Sequence, residues 1–183
     1  MWQPKMRRAD KGFTLLETMI ALMVLVVGVL GLAAMLAASL VRMVGSQNDF
    51  IAQQKAEEAM EAIFTAKYTN SISFAGVANN SVGNPAGLFV TAAVPLRQPG
   101  PDGLFNTIND VGATSDYIIE PGPDNLMGTA DDVRVDLSNN FTRTITITNV
   151  GAAGDLRQVA ITVNYLTCGV PQSYTLTSFI SAY

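Results

Sequence analysis

The sequence predicts an α+β chain, in which a long N-terminal helix lays its outer half on a C-terminal antiparallel β-sheet. Three observations carry that reading. From Met19 to Val41 the chain is almost wholly apolar, broken only by Gly28, Gly31 and Ser39. Beyond Val41 apolar side chains recur at helical spacing, and no proline stands between Pro4 and Pro85. Near the C-terminus the pattern changes to strict alternation, the period of a strand with one buried face.

Residues 1–12 form a short basic segment. Lys5, Arg7, Arg8 and Lys11 face only one opposing charge, Asp10. Residues 13–45 contain the apolar run, which is long enough to span a bilayer as a helix (roughly 20 residues are needed). The preceding lysines and arginines place the N-terminus in the cytoplasm and the rest of the chain on the far side. The run is longer than the core of a cleaved secretory signal and passes into a helical pattern without a turn, so it is read as retained.

Residues 46–68 continue as an amphipathic half. Ala52, Ala56, Ala59, Met60, Ile63 and Phe64 form one stripe, while Gln53, Gln54, Glu57, Glu58 and Glu61 fall on the other side. One helix from about Thr14 to about Lys67 is predicted, with Thr69-Asn70-Ser71 as its stop. Residues 69–183 make a β-rich head. Residues 69–87 read as irregular, Leu88–Val94 as a short strand and 97–133 as loop.

The strands follow. Thr142, Thr144, Thr146 and Thr148 alternate with Phe141, Arg143, Ile145 and Ile147. Val159, Ile161, Val163 and Tyr165 repeat the period, and Tyr174, Leu176 and Ile180 continue it less regularly. Gly151 to Asp155 and Gly169 to Gln172 are the predicted turns. The result is an antiparallel meander whose apolar face the helix stripe covers.

Composition narrows the chemistry. The 183 residues give room for one ordinary domain plus an anchor. A net charge of −4 offers no basic field for nucleic acid. There is one cysteine, Cys168, and no histidine, which excludes an intramolecular disulfide, thiolate or imidazole metal clusters, and histidine-dependent nucleophile arrangements. Carboxylates and backbone oxygens remain, and these suit hard cations such as calcium. A lone cysteine in a strand-rich segment reads as a small apolar residue. No catalytic constellation is present, so an enzyme is not expected.

The most specific segment is Lys11-Gly12-Phe13-Thr14-Leu15-Leu16-Glu17-Thr18. It resembles the prepilin peptidase recognition sequence of type IV pilins and type II secretion pseudopilins over roughly the first 50 residues. The resemblance implies cleavage between Gly12 and Phe13, N-methylation of Phe13, and a filament contact in which Glu17 pairs with the new amine of a neighbouring subunit. It also implies the type IV pilin-like fold and, as partners, the inner membrane, prepilin peptidase, and other major and minor pilins met through the N-terminal helix. Gly12 lets a protease approach the backbone, and Glu17 is a carboxylate beside hydrocarbon, costly without a partner. A plain single-pass anchor would explain the glutamate but not the Gly12-Phe13 junction. The stretch Val27-Gly28-Val29-Leu30-Gly31-Leu32-Ala33 resembles the PilV-type minor pilins. Gly28 and Gly31 are also small residues that allow close helix packing.

The head contains an acidic repeat within residues 100–133. Gly100-Pro101-Asp102-Gly103-Leu104-Phe105-Asn106-Thr107-Ile108-Asn109-Asp110-Val111 aligns with Gly122-Pro123-Asp124-Asn125-Leu126-Met127-Gly128-Thr129-Ala130-Asp131-Asp132-Val133 at an offset of 22 residues. Asp102, Asn106 and Asp110, and then Asp124, Asp131 and Asp132, are candidate calcium ligands on glycine-rich turns. The EF-hand spacing is absent. A pair of solvated turns is the plainer reading.

Three functions fit. The first is a minor type IV pilin in pilus assembly or at the pilus tip, inserted in the inner membrane with a periplasmic head and later part of the extracellular filament. The second is a type II secretion minor pseudopilin in a periplasmic pseudopilus. The third is a pilus-displayed, calcium-dependent adhesin or binding head.

Overall fold

The structure, a computed structural model, describes residues 12–110, 112–151 and 154–183. Lys5, Arg7, Arg8 and Lys11 of the basic segment, Val111 of the repeat, and Ala152 and Ala153 of a predicted turn lie outside them. The chain falls into two compact units, Met1–Met43 and Val44–Tyr183.

Helix α1 runs Leu15–Tyr68, within a residue of the sequence prediction at each end. In the first unit its side chains are exposed throughout, and none of its most apolar window is buried by the chain itself. Such a surface is unfavourable in water and favourable in lipid or against other helices.

In the second unit, Ile51, Ala52, Lys55, Ala56, Ala59, Met60, Ile63 and Ala66 of α1 are buried, a stripe at three- and four-residue spacing. Gln53, Gln54, Glu57, Glu58 and Glu61 are exposed, as expected. Phe64, expected in the stripe, is instead 37% exposed, because it sits one position past Ile63 on the solvent side. The predicted stop is a helix-terminating motif. Asn70 adopts φ 55°, Ser71 N–H donates to Ala66 O at 2.9 Å, and Asn70 N–H donates to Lys67 O at 3.2 Å. This is the Schellman pattern with asparagine in the left-handed position.

The head has two sheets. β1 (Val94–Pro95), β4 (Phe141–Val150), β5 (Leu156–Thr167) and β6 (Val170–Ser181) form one in spatial order β1-β4-β5-β6. β2 (Tyr117–Glu120) and β3 (Val133–Asp136) form a separate pair. The β4-β5-β6 meander is antiparallel, with Ile145 opposite Ile161 and Leu176 opposite Ile161 in turn. Phe141, Arg143, Ile145, Val159, Ile161, Val163, Tyr165 and Ile180 are buried on the face that meets the helix stripe. The Phe141 and Tyr165 rings stack with centroids 5.6 Å apart.

Three predicted features differ. The strand expected at Leu88–Val94 does not form. Phe89 makes only isolated bridges, to Asn79 and Thr107, and the paired strand is Val94–Pro95. β2, with its β-branched Ile118 and Ile119, lies inside the stretch read as loop, too short to signal periodicity. The second turn is Cys168-Gly169, with φ 50° and 80°. Pro171 and Gln172 belong to the edge strand β6, where a missing N–H costs nothing if it faces outward.

Candidate functional site

The apolar core of the head holds a buried polar cluster. Lys55, on the helix stripe, places Nζ 2.8 Å from Asp116 Oδ2 and 3.0 Å from Glu58 Oε2. The Asp116 oxygen is held by charge, without a well-directed hydrogen bond. Burial acts to lower the Lys55 amine, but its close pairing with Asp116 and Glu58 outweighs this and raises it from its ordinary value. Arg143, 1% exposed, donates through Nε to Asn106 Oδ1 at 3.1 Å and through Nη1 to Lys55 O at 3.3 Å. Its guanidinium lies 4.3 Å from the Phe105 ring centroid. Burial pushes its pKa down to about 10 against the opposing field of Asp116. Alternation placed Arg143 on the apolar face; nothing in the sequence named its partners.

The acidic repeat is a duplication in structure as well as in sequence. Gly103 N–H donates to Gly100 O at 3.0 Å, and Asn125 N–H to Gly122 O at 3.0 Å. Leu104 N–H donates to Asp102 Oδ1 at 3.0 Å, and Leu126 N–H to Asp124 Oδ1 at 2.9 Å. Left-handed positions correspond too: Gly103 with Asn125, and Asn106 with Gly128. In each copy a threonine hydroxyl gathers the carboxylates. Thr107 Oγ1 is 3.2 Å from Asp102 and 2.9 Å from Asp110. Thr129 Oγ1 is 3.5 Å from Asp124, 2.7 Å from Asp131 and 3.4 Å from Asp132. The Thr129 hydroxyl bond is the chief reason the Asp131 carboxyl lies below its usual value.

The copies differ in what they do with their apolar pair. Leu104 and Phe105 are buried in the core (0% and 3% exposed), whereas Leu126 and Met127 are exposed (61% and 62%). The first copy is a clasp that seats a loop on the head. Asn106 belongs to that clasp: its Nδ2 donates to Arg143 O at 2.7 Å, which turns it away from Asp102 and Asp110. Among the described residues no group of three or more His, Cys, Asp or Glu side chains is arranged to hold a metal ion.

At the N-terminus, Gly12, Phe13 and Thr14 precede α1, and Phe13 is 81% exposed. Thr14 starts the helix. Glu17 N–H donates to Thr14 Oγ1 at 3.3 Å, and Thr18 N–H to Thr14 O at 3.2 Å. Thr14-Leu15-Leu16-Glu17 thus has the spacing of a capping box, with Glu17 in the first turn where the helix dipole favours a carboxylate. The sequence placed the helix start at about Thr14, and the threonine-to-glutamate spacing there also held the capping role.

Residues 7–33 match the model of the prokaryotic N-terminal methylation motif. The chain carries the prepilin cleavage and methylation signal of type IV pilin-like proteins. No curated protein and no solved structure matches the chain.

This prepilin signal covers Gly12, Phe13, Glu17, Gly28 and Gly31. It supports a member of the type IV pilin or pseudopilin family, a class of membrane-anchored structural subunits processed by prepilin peptidase. The α+β head under the outer half of α1 is consistent with a type IV pilin-like fold. Gly28 and Gly31 stand in open space, where an added Cβ would meet nothing within 4 Å. Among the described residues of the prepilin-like chain, neither packs against another element.

Proposed function

We propose that the chain is a minor type IV pilin: a structural subunit cut between Gly12 and Phe13, methylated on Phe13, and assembled through α1 with other pilins. Before assembly its helix anchors it in the inner membrane, N-terminus in the cytoplasm and head in the periplasm. The observation that carries this reading is the prepilin signal running directly into a helix of 54 residues. That helix has no proline to break it, and the Gly28 to Ala33 stretch supports the minor subtype. Glu17 supplies the assembly contact, pairing with the Phe13 amine of a neighbour. Such a pair sets register more than stability, since two charges leaving water recover little net energy.

Mass spectrometry of the N-terminus in sheared filaments tests the reading. An N-methylated Phe13 terminus is expected; an intact Met1 terminus refutes it. A deletion strain then separates the pilus from the secretion pseudopilus, which uses the same anchor chemistry. Loss of surface pili with exoprotein export intact supports the pilin.

Calcium is a separate proposal, confined to the second repeat copy. There the hydroxyl of Thr129 has one proton to donate yet stands within 3.5 Å of oxygens from Asp124, Leu126, Asp131 and Asp132. A cation would relieve that crowding if the three carboxylates closed around it.

A further inference from the structure

The duplication shows what the second copy of the repeat is shaped to do. Both copies close the same turn with the same two bonds, and each turn presents an apolar pair. The first copy buries its pair, Leu104-Phe105, in a socket of the head, where the Arg143 guanidinium stands beside the Phe105 ring. The second copy presents Leu126-Met127 to solvent. Its backbone is held by its own carboxylates. Asp124 accepts from Leu126 N–H, Asp132 accepts from Gly128 N–H at 2.7 Å, and Thr129 draws Asp131 in with them. An apolar pair on a turn held in this way, ringed by negative charge, is a plug without a socket.

The plug lies at one end of the head. Asp116, just before β2, meets Lys55, and Glu120, at the far end of β2, accepts from Gln47 at 3.5 Å. The β2–β3 hairpin therefore runs along α1 toward Gln47, and its loop, 121–132, carries the plug on that side. A socket is open at the other end. A groove of about 440 Å³ there is lined by Phe64, Tyr68, Phe179 and Tyr183, all exposed. Lys67 is the one charged side chain on its walls among the described residues, and it makes no ion pair with any of them. Gln47 and Lys67 stand about 30 Å apart along the helix.

We propose that the Leu126-Met127 plug of one copy seats in the Phe64–Phe179 groove of a second copy of this chain. The choice of partner follows from complementarity. Leucine and methionine meet aromatic rings, with the thioether suited to ring edges, and the carboxylates of Asp124, Asp131 and Asp132 meet the unpaired Lys67. The first copy of the repeat already makes the same kind of contact inside the head, an apolar plug in a socket that holds a cation. Because plug and groove lie at opposite ends, the contact is heterologous. It leaves a free groove on one copy and a free plug on the other, and repeats as an open line rather than a closed pair. The contact belongs to the head alone.

Two full-length chains test this, both with Cys168→Ser, which removes the sole native cysteine. One carries Met127→Cys and the other Tyr68→Cys, both at exposed positions. Equal amounts are mixed in excess detergent micelles with a calcium chelator and oxidised, and the disulfide dimers are counted by intact mass. Seating raises the local concentration of one thiol at the other, so the mixed dimer should exceed each self-dimer by about tenfold or more, against about twofold for random collision. Association through α1 brings all three pairings together alike and gives only the random ratio.

The random ratio in this mixture overturns the proposal and leaves the plug to a socket on a different chain. Gln53→Cys in place of Tyr68→Cys puts the thiol on the exposed helix face about 22 Å from the groove. It should return the random ratio, and a mixed excess as large as that at Tyr68 refutes the groove. Lys67→Glu in the Tyr68→Cys chain should also return the random ratio, while Lys67→Arg keeps the excess. An excess that survives Lys67→Glu overturns the charge match. The first mixture already decides the question should Lys67→Glu misfold.

Discussion

Asp116→Ala should unseat the head from its helix more than any surface change of similar size. Asp116 and Lys55 have side chains 8% and 11% exposed, 2.8 Å apart. Removing one partner of a buried pair costs about 3–5 kcal/mol, because the other charge stays buried. Two features set the value here. Glu58 still holds Lys55 at 3.0 Å, but its side chain is 44% exposed, so it offsets only part of the loss. Asp116 is also the largest opposing field on buried Arg143, and its Oδ1 accepts from Tyr117 N–H at 2.8 Å. A loss of about 3 kcal/mol is expected. At about 2–4 °C per kcal/mol for a chain of this size, that lowers the melting temperature by about 6–12 °C. Near-ultraviolet circular dichroism of the full chain in detergent micelles reads the transition. Replacing both partners, Lys55→Met with Asp116→Leu, should return stability to within about 1 kcal/mol of the native chain. A drop under about 3 °C for Asp116→Ala, or no recovery in the double variant, would show that the ion pair does not hold the two elements together.

The duplicated repeat gives a matched pair of substitutions. Leu104→Ala empties a fully buried site and should cost about 2–5 kcal/mol, whereas Leu126→Ala, at the equivalent exposed position, should stay within about 0.5 kcal/mol in the same melt. Alkaline pH should weaken the head. Burial and the bond to Asp49 push the Tyr165 phenol up to about 12, so its contribution is full below pH 10 and is lost as pH rises through about 12. Lys55, also raised, loses its contribution in the same direction. Arg143 acts oppositely, since its burial cost fades above about pH 10. Tyr165→Phe should flatten the fall in melting temperature between pH 10 and 12, and an unchanged slope would count against the Tyr165–Asp49 bond. Calorimetric titration of the full chain should show calcium binding that Asp131→Asn with Asp132→Asn removes; no heat at millimolar calcium sinks that proposal.

Periodicity made most of the fold legible. The α1 stripe from Ala52 to Ile63 and the alternation from Phe141 to Tyr165 are long, regular patterns, and each has one answer. The stop at Asn70 was readable because few residues other than asparagine and glycine tolerate the left-handed backbone there. Short elements failed for the same physical reason in reverse. Val94–Pro95 and Tyr117–Glu120 are too brief for a period to emerge, and the pairing of Val94–Pro95 is decided by a strand far along the chain. Asn79 shows this well. It looked like part of an irregular stretch, yet its side chain donates to Ile145 O and accepts from Ile147 N–H, both at 2.7 Å, and so covers part of an edge of β4.

The prepilin signal, the apolar run and the repeat are properties of the sequence itself. Cleavage, insertion and duplication act on contiguous residues, and contiguous residues are what a sequence displays. Tertiary structure alone decided which copy of the repeat is a clasp, since burial of Leu104 and exposure of Leu126 depend on what each loop meets. It also decided that Lys55, Asp116 and Arg143 share one buried centre, and that the Cys168 tip stands beside Gly45. The contacts of Lys55 with Asp116 and Arg143 join residues more than sixty positions apart, and their energies come from desolvation and charge at distances that only folding sets.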